Sequence, residues 1–192
     1  APQFDSAASI TSDTGDTRTN SVLTCSASAS DPNQGTVNMT YQWLVAGSVV
    51  GTSNTFTVTS NQSNVGDAIE CVITATDSDG EFDTSSASTT ILNTVPTISS
   101  VNIQATAGLY NDSVVECIAN VVDPDESLTP SLIWQIAGSV VGTGISLDLA
   151  TTAAIPNDTL TCIANITDSN GGTDNPQVSE TLLNRPPTAP SG

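Results

Sequence analysis

One set of residues occurs twice along the chain and constrains its fold more than any other feature. A cysteine, a tryptophan and a second cysteine follow one another as Cys25, Trp43 and Cys71, and again as Cys117, Trp134 and Cys162. From 25 to 117 is 92 residues, and from 43 to 134 and from 71 to 162 is 91. The set includes all four cysteines and both tryptophans of the chain. So regular an offset indicates two copies of one structural unit.

The repeat also predicts the domain boundaries. A chain of 192 residues suits one large domain or two smaller ones, and the offset favours two. We predict a first domain over residues 1–92 and a second over residues 93–183. Residues 184–192 begin with Asn184-Arg-Pro-Pro-Thr188, which is similar to Asn93-Thr-Val-Pro-Thr97. We expect this last segment to be a linker or the start of a third repeat.

Apolar and polar residues alternate around every cysteine. The pattern covers Leu23–Ala29 and Ile69–Ala75 in the first copy, and Val115–Val121 and Leu160–Ile166 in the second. A period of two is typical of a β-strand with one buried face, and it places each cysteine on that face. No segment has the 3.6-residue period of a helix. The sequence therefore predicts an all-β chain with its cysteines in two cores.

The spacing of cysteine, tryptophan and cysteine resembles that of the immunoglobulin-like β-sandwich. The phrases at 23–32, 75–80 and 93–97 are similar to those of tandem immunoglobulin-like or PKD-like repeats in large microbial extracellular surface proteins. The resemblance implies two tandem immunoglobulin-like β-sandwich domains. It also implies disulfides Cys25–Cys71 and Cys117–Cys162 between strands B and F of each domain, with Trp43 and Trp134 packed on them. One departure is that Ile69 and Leu160 replace the tyrosine of the antibody-type family.

Disulfides of this kind imply an oxidising compartment, and so a secreted protein or the cell surface. Two buried free thiols in each domain are the alternative. No apolar run is long enough to span a membrane, so we expect no membrane insertion in this segment.

The charge of the chain excludes one class of partner. The formal net charge is −18, with no lysine and only Arg18 and Arg185 as cationic side chains. Nucleic-acid binding requires clustered cations, which this sequence does not have. The acidity is explained either by solubility and self-repulsion in a salty environment or by a role for divalent cations.

The residues needed for common catalytic sites are missing from the sequence. There is no histidine, no lysine and no Cys-x-x-Cys motif, so Ser-His-Asp, Cys-His and zinc chemistries lack their parts. We therefore predict no catalytic residues and no enzyme activity.

Calcium is the one metal that the acidic residues suggest, because it takes several carboxylate and carbonyl oxygens. In an immunoglobulin-like sandwich the B–C and F–G loops share one end, and both loops are acidic here. The candidate ligands are Asp31, Asp77 and Asp79 in the first domain, and Asp123, Asp125 and Asp168 in the second. The alternative is that aspartate is simply a good turn former in solvated loops. We expect no cofactor, with calcium as the alternative.

Five Asn-x-Ser/Thr sequons are candidate N-glycosylation sites, at Asn38, Asn61, Asn111, Asn157 and Asn165. Their number is no more than chance predicts for so much serine and threonine, so the motif only permits glycosylation. Asn165 lies between two inward residues of a predicted strand and should face solvent.

Two classes of function fit these observations. Tandem repeats without a set of site residues favour a structural or adhesive segment of an extracellular cell-surface stalk, fibre or filament. Its partners would be neighbouring copies or further repeats of the same protein, and surface glycans or proteins. A carbohydrate- or protein-binding accessory module of a secreted protein is the alternative, and would need exposed aromatics grouped on one face; Phe4, Phe82 and Tyr110 are scattered candidates.

Overall fold

The structure, a computed structural model, describes residues 1–33 and 36–186 of the chain. The chain separates into two compact units, Ala1–Thr94 and Val95–Gly192. The division comes two residues after the boundary predicted from the repeat. Of the predicted last segment, residues 187–192 lie outside the described residues, as do positions 34 and 35 of the first B–C turn.

Unit 1 is a sandwich of two antiparallel sheets. Its described strands are β1 (Gln3–Ser12), β2 (Val22–Ser30), β3 (Asn38–Val45), β4 (Ser48–Gly51), β5 (Thr55–Thr57), β6 (Ala68–Thr76) and β7 (Phe82–Thr90). One sheet has the order β1-β2-β5 and the other the order β4-β3-β6-β7. All of the pairings are antiparallel.

Unit 2 repeats this arrangement. Its strands are β8 (Thr97–Ala105), β9 (Val114–Val122), β10 (Ser131–Ile136), β11 (Ser139–Thr143), β12 (Ser146–Asp148), β13 (Thr159–Thr167), β14 (Thr173–Asp174) and β15 (Gln177–Thr181). One sheet has the order β12-β9-β8; in the other, β11, β10 and β13 lie side by side, and β13 also pairs with β14 and β15. A short 3-10 turn, Leu149–Thr151, follows β12. The chain is thus all-β, with two tandem β-sandwiches, as the sequence predicted.

Each sandwich is closed by a disulfide between its two sheets. Cys25 of β2 bonds Cys71 of β6, with their Cα atoms 6.3 Å apart. Cys117 of β9 bonds Cys162 of β13, with a Cα separation of 6.4 Å. Both bridges are those implied by the immunoglobulin-like resemblance, and they use all four cysteines of the chain.

A fully buried tryptophan lies at the centre of each core. The Trp43 indole N–H donates to the carbonyl of Ser53 over 2.9 Å, and that of Trp134 donates to the carbonyl of Gly144 over the same distance. These bonds satisfy a polar group that burial would otherwise leave unpaired. The two tryptophans belong to separate hydrophobic clusters, one in each unit.

The last strand differs between the two units. In unit 1, β7 begins at Phe82 and pairs with β6 along its whole length from the hairpin onward. In unit 2 the corresponding strand is split into β14 and β15. Pro176 lies in the gap between them and has no backbone N–H to continue the ladder.

Candidate functional site

The acidic loops at one end of each sandwich are the candidate site, and the repeat allows their side chains to be compared. In unit 1, Asp31 follows β2 and Asp77 follows β6; in unit 2, Asp123 follows β9 and Asp168 follows β13. The four residues therefore occupy matching positions at strand ends.

The first role of these carboxylates is to build the turns in which they lie. Asp77 Oδ1 accepts hydrogen bonds from the N–H groups of Asp79 and Glu81, each over 2.9 Å. Asp168 Oδ1 accepts from Asn170 and Gly172 in the same way, over 2.9 and 2.6 Å. Because a side-chain acceptor replaces a backbone partner in such turns, aspartate is favoured there without any ligand.

The B–C loops, which join β2 to β3 and β9 to β10, are stabilised by the same kind of hydrogen bond. Asp31 Oδ1 accepts from the N–H of Asn33, and Asp123 Oδ1 accepts from the N–H of Asp125, both over 2.8 Å. In unit 2 the two loops are also tied together, since Glu126 Oε1 accepts from the backbone N–H and the hydroxyl of Ser169 over 2.8 and 2.9 Å. This tie was not foreseen from the sequence, which signals a glutamate in a turn but not its partner.

In unit 1 the acidic loops meet at the amino group of Ala1. Glu81 Oε2 lies 2.8 Å from this nitrogen, and Asp31 Oδ2 and Asp77 Oδ2 lie 3.9 and 3.8 Å from it. The hydrogen bond to Glu81 raises the pKa of the amino group. Desolvation lowers this pKa, and the charges of the three carboxylates raise it further. The structure thus brings Asp31 and Asp77 together, whereas Asp79 is exposed on the hairpin.

The calcium prediction finds limited support in this geometry. Over residues 1–33 and 36–186, no three carboxylate, imidazole or thiol side chains are grouped so that they could hold one metal ion. Among the candidate ligands, Asp123 has the carboxylate best suited to bind an ion, because its Oδ2 is buried and has no hydrogen-bond partner among the described residues. Burial raises the pKa of the Asp123 carboxyl. Backbone hydrogen bonds from Asp125 and Glu126 lower this pKa and the charges of the same two residues raise it, and the net direction is upward.

Asp123 gives a pH-dependent prediction. A folded-state pKa above the unfolded value means that the folded protein favours the protonated carboxyl. The free energy of unfolding therefore falls as the pH rises from the unfolded-state pKa through the folded-state pKa. Asp123→Asn should therefore raise the unfolding temperature of unit 2 at pH 7 and leave it nearly unchanged at pH 3. Asparagine retains the oxygen that accepts from Asp125. Differential scanning calorimetry at both pH values checks this, and a lower unfolding temperature at pH 7 would contradict it.

The five sequons lie in different environments. Asn38, Asn61 and Asn157 are exposed, whereas Asn111 and Asn165 are partly buried. Asn165 was expected to face solvent, and on β13 it is partly buried. Asn157 has φ 72°, at the position of Gly66 in unit 1, whose φ is 88°. Since asparagine tolerates this left-handed conformation better than most residues, a turn role explains Asn157 without a glycan.

The two arginines are each held near the end of their unit. The Arg18 guanidinium donates to the carbonyl of Asn93, and its second nitrogen lies 3.3 Å from Asp16. Arg185 is 2.6 Å from the Asp112 carboxylate, and its guanidinium lies 4.6 Å above the centre of the Tyr110 ring. Both cations are thus paired within their own unit.

The aromatic residues do not form a binding platform in the described part of the chain. Phe82 is exposed, with 66% of its surface accessible. Phe4 packs in part against the core of unit 1, and Tyr110 is covered by Arg185. A long apolar helix of the kind that crosses a membrane is also not found in the residues described.

Comparison with known proteins gives structural likeness only. No protein-family model and no curated protein sequence matches the chain. Similar solved structures include a Ca²⁺-stabilised adhesin with which an Antarctic bacterium binds ice (14% identity, 94% of this chain and 49% of that chain, TM-score 0.35). A 1.5-MDa bacterial ice-binding adhesin is 13% identical over 95% of this chain and 64% of that chain, with a TM-score of 0.36.

A third similar structure contains the fibronectin(III)-like modules of Clostridium thermocellum CbhA (14% identity, 91% of this chain and 94% of that chain, TM-score 0.30). The chain spans about half the length of the first of these structures and somewhat under two thirds of the second. At such TM-scores, the function of the chain has to be argued from its own residues.

Proposed function

We propose that the chain is a structural or adhesive repeat segment of an extracellular cell-surface stalk, fibre or filament. The observation that carries this proposal is that both units use their acidic side chains at matching positions to build their own turns. Asp77 and Asp168 cap equivalent hairpins, and Asp31 and Asp123 cap equivalent B–C loops. These side chains stabilise the same turns in both units, so they support the fold that is repeated. A stalk or fibre is built from such repeated folds.

The extracellular location is supported by the cysteines. Both pairs are bonded, and such structural bridges persist in oxidising compartments. The partners are neighbouring copies or further repeats of the same protein, together with surface glycans or proteins. Exposed sequons at Asn38, Asn61 and Asn157 would allow the segment to be a glycoprotein.

The alternative, a carbohydrate- or protein-binding accessory module of a secreted protein, divides into two cases. Carbohydrate binding commonly uses a group of exposed aromatic rings, and among the described residues only Phe82 is so exposed. Protein binding is favoured by the exposed apolar residues of unit 2, which are considered below.

The proposal is tested on the source cells with antibodies raised against the 192-residue segment. Immunogold electron microscopy should place the label on projections outside intact cells, and mild protease treatment of those cells should remove it. Label that is confined to the culture supernatant would favour the accessory module. Label inside the cell would contradict both.

Calcium is the cofactor alternative and has a separate test. Because the turn aspartates already accept backbone hydrogen bonds, we expect the unfolding temperatures of both units to change by no more than about 2 °C between excess EDTA and 5 mM CaCl₂; this corresponds to roughly 0.5 kcal/mol or less for units of this size. A measurement in 5 mM MgCl₂ controls for ionic strength. A rise with calcium that Asp123→Asn removes would instead place an ion at that loop.

A further inference from the structure

The outward face of β9 carries exposed aliphatic side chains. Val114, Ile118 and Val122 are 56%, 37% and 53% exposed, and Ile145, just before β12, is 64% exposed. Alternation along the strand places these β9 residues on the face opposite to the core residues Val115 and Cys117. We call Val114, Ile118, Val122 and Ile145 the β9 stripe.

The repeat shows that the fold does not require three of these four aliphatic residues; Val114 alone has an aliphatic counterpart, Val22. The equivalent of Ile145 in unit 1 is Asn54, because Cys25 N–H donates to the Asn54 carbonyl and Cys117 N–H donates to the Ile145 carbonyl, both over 2.8 Å. Along the strand, Ile118 and Val122 correspond to Ser26 and Ser30. Unit 1 builds the same sandwich with polar residues at these positions, so the aliphatic residues of unit 2 need another explanation.

Beside the stripe, β9 has an open backbone edge. β12 pairs with β9 only from Val114 to Glu116, and the last bond on this side is the one from Cys117 to Ile145. The chain has turned away at Gly144, whose φ is 97°. Backbone groups alternate in direction along a strand. The N–H and C=O groups of Ala119 and Val121 therefore point to the same side as the N–H of Cys117, which is the side on which β12 pairs. No described strand pairs with them there.

A surface pocket adjoins this edge. Its volume is about 240 Å³, and its apolar lining includes Ile118, Ala119, Pro130, Leu132 and Ile145. A pocket of this size accommodates one aliphatic side chain. Free backbone partners together with a side-chain pocket are the two elements by which a sheet edge recognises an extended peptide.

Charge indicates the chemistry of that peptide. Carboxylates lie at both ends of the open edge, with Glu116 and Asp148 on the β12 side and Asp123 after the end of β9. The chain has no lysine, and both of its arginines are paired elsewhere. A second copy of this chain, itself at −18, would meet like charge, so a basic partner is favoured.

We propose that the open edge of β9 binds an extended segment of a partner protein as an added strand, with an aliphatic side chain in the pocket and basic residues on both flanks. The proposal is independent of the cell-surface role, because a secreted accessory module with the same edge would bind the same segment.

The test uses the whole 192-residue chain, labelled with ¹⁵N, and an acetylated nine-residue peptide of sequence KRTVLVTRK. Saturable shifts of the Ala119 and Val121 amide signals are expected. Peptides with a central Asp (KRTVDVTRK), with acidic flanks (EETVLVTEE) or with prolines that lack backbone donors (KRTPLPTRK) should each bind at least tenfold more weakly. No saturable shift of these amides up to 2 mM KRTVLVTRK would overturn the proposal.

The repeat supplies matched protein variants. Ile118→Ser with Ile145→Asn installs the unit 1 residues in unit 2, and should weaken KRTVLVTRK binding at least tenfold. Retained folding is checked by the two tryptophan indole signals. The converse pair, Ser26→Ile with Asn54→Ile, should create binding at the Ala27–Ala29 edge of unit 1. Equal affinity of the wild type and the Ile118→Ser/Ile145→Asn variant would contradict the assigned pocket.

Discussion

Removal of one disulfide is expected to destabilise its own unit by about 4 kcal/mol. The Cys25–Cys71 and Cys117–Cys162 bridges close loops of 46 and 45 residues, and opening a loop of this size returns that much conformational entropy to the unfolded chain. Domains of this size are usually stable by about 5–15 kcal/mol in total. The loss of one bridge is therefore expected to remove a quarter or more of the stability of its unit.

The measurement is urea unfolding of the variant with Cys25→Ala and Cys71→Ala, in which unit 2 retains its bridge as an internal control. The transition of unit 1 should move to much lower urea, and that of unit 2 should stay in place. The reciprocal variant, with Cys117→Ala and Cys162→Ala, should show the opposite pattern. Peptide mapping under non-reducing conditions that found free thiols, or cross-links between units, would contradict the pairing itself.

Trp43→Ala and Trp134→Ala should each cost about 3–5 kcal/mol in the unit that contains the residue. Each ring is fully buried at the centre of its own cluster, and its removal leaves both a cavity and an unpaired carbonyl at Ser53 or Gly144. Calorimetry of the two variants should show one lowered and one unchanged transition in each. Loss of both transitions from a single substitution would show that the units do not unfold independently.

Phe82→Ala provides the matched control for the tryptophan variants. It also removes an aromatic ring, but Phe82 is largely exposed, so the expected change is within about 0.5 kcal/mol. A cost similar to that of Trp43→Ala would mean that ring loss itself, rather than burial, accounts for the effect.

The strands were predictable because they depend on local alternation, and the bridges because the repeated cysteine and tryptophan spacing resembles that of the immunoglobulin-like sandwich. Around Cys71 and Cys162 the pattern of period two is unbroken, and β6 and β13 follow it closely. The Ala46-Gly47 hairpin is likewise readable from its turn residues, since φ values of 47° and 82° favour a glycine there. The strands and the hairpin are encoded within a few residues of where they appear.

Contacts between distant loops could not be predicted in the same way. Nothing in the sequence pairs Glu126 with Ser169, which are 43 residues apart. The β9 stripe has a readable signal in part, since Ile118 and Val122 replace serines of the first copy. The split of β14 from β15 was also readable, because Pro176 interrupts the segment.

The placement of the arginines has a consequence for the resistance of the chain to proteolysis. Trypsin-like proteases cut after lysine or arginine, and the Arg185 bond is protected by the proline that follows it. This leaves the bond after Arg18, in a turn where the Arg18 carbonyl accepts from Ser21 N–H and the side chain is held by Asn93 and Asp16. Cleavage there requires the turn to open first. The folded segment therefore has almost no accessible cleavage site for such enzymes.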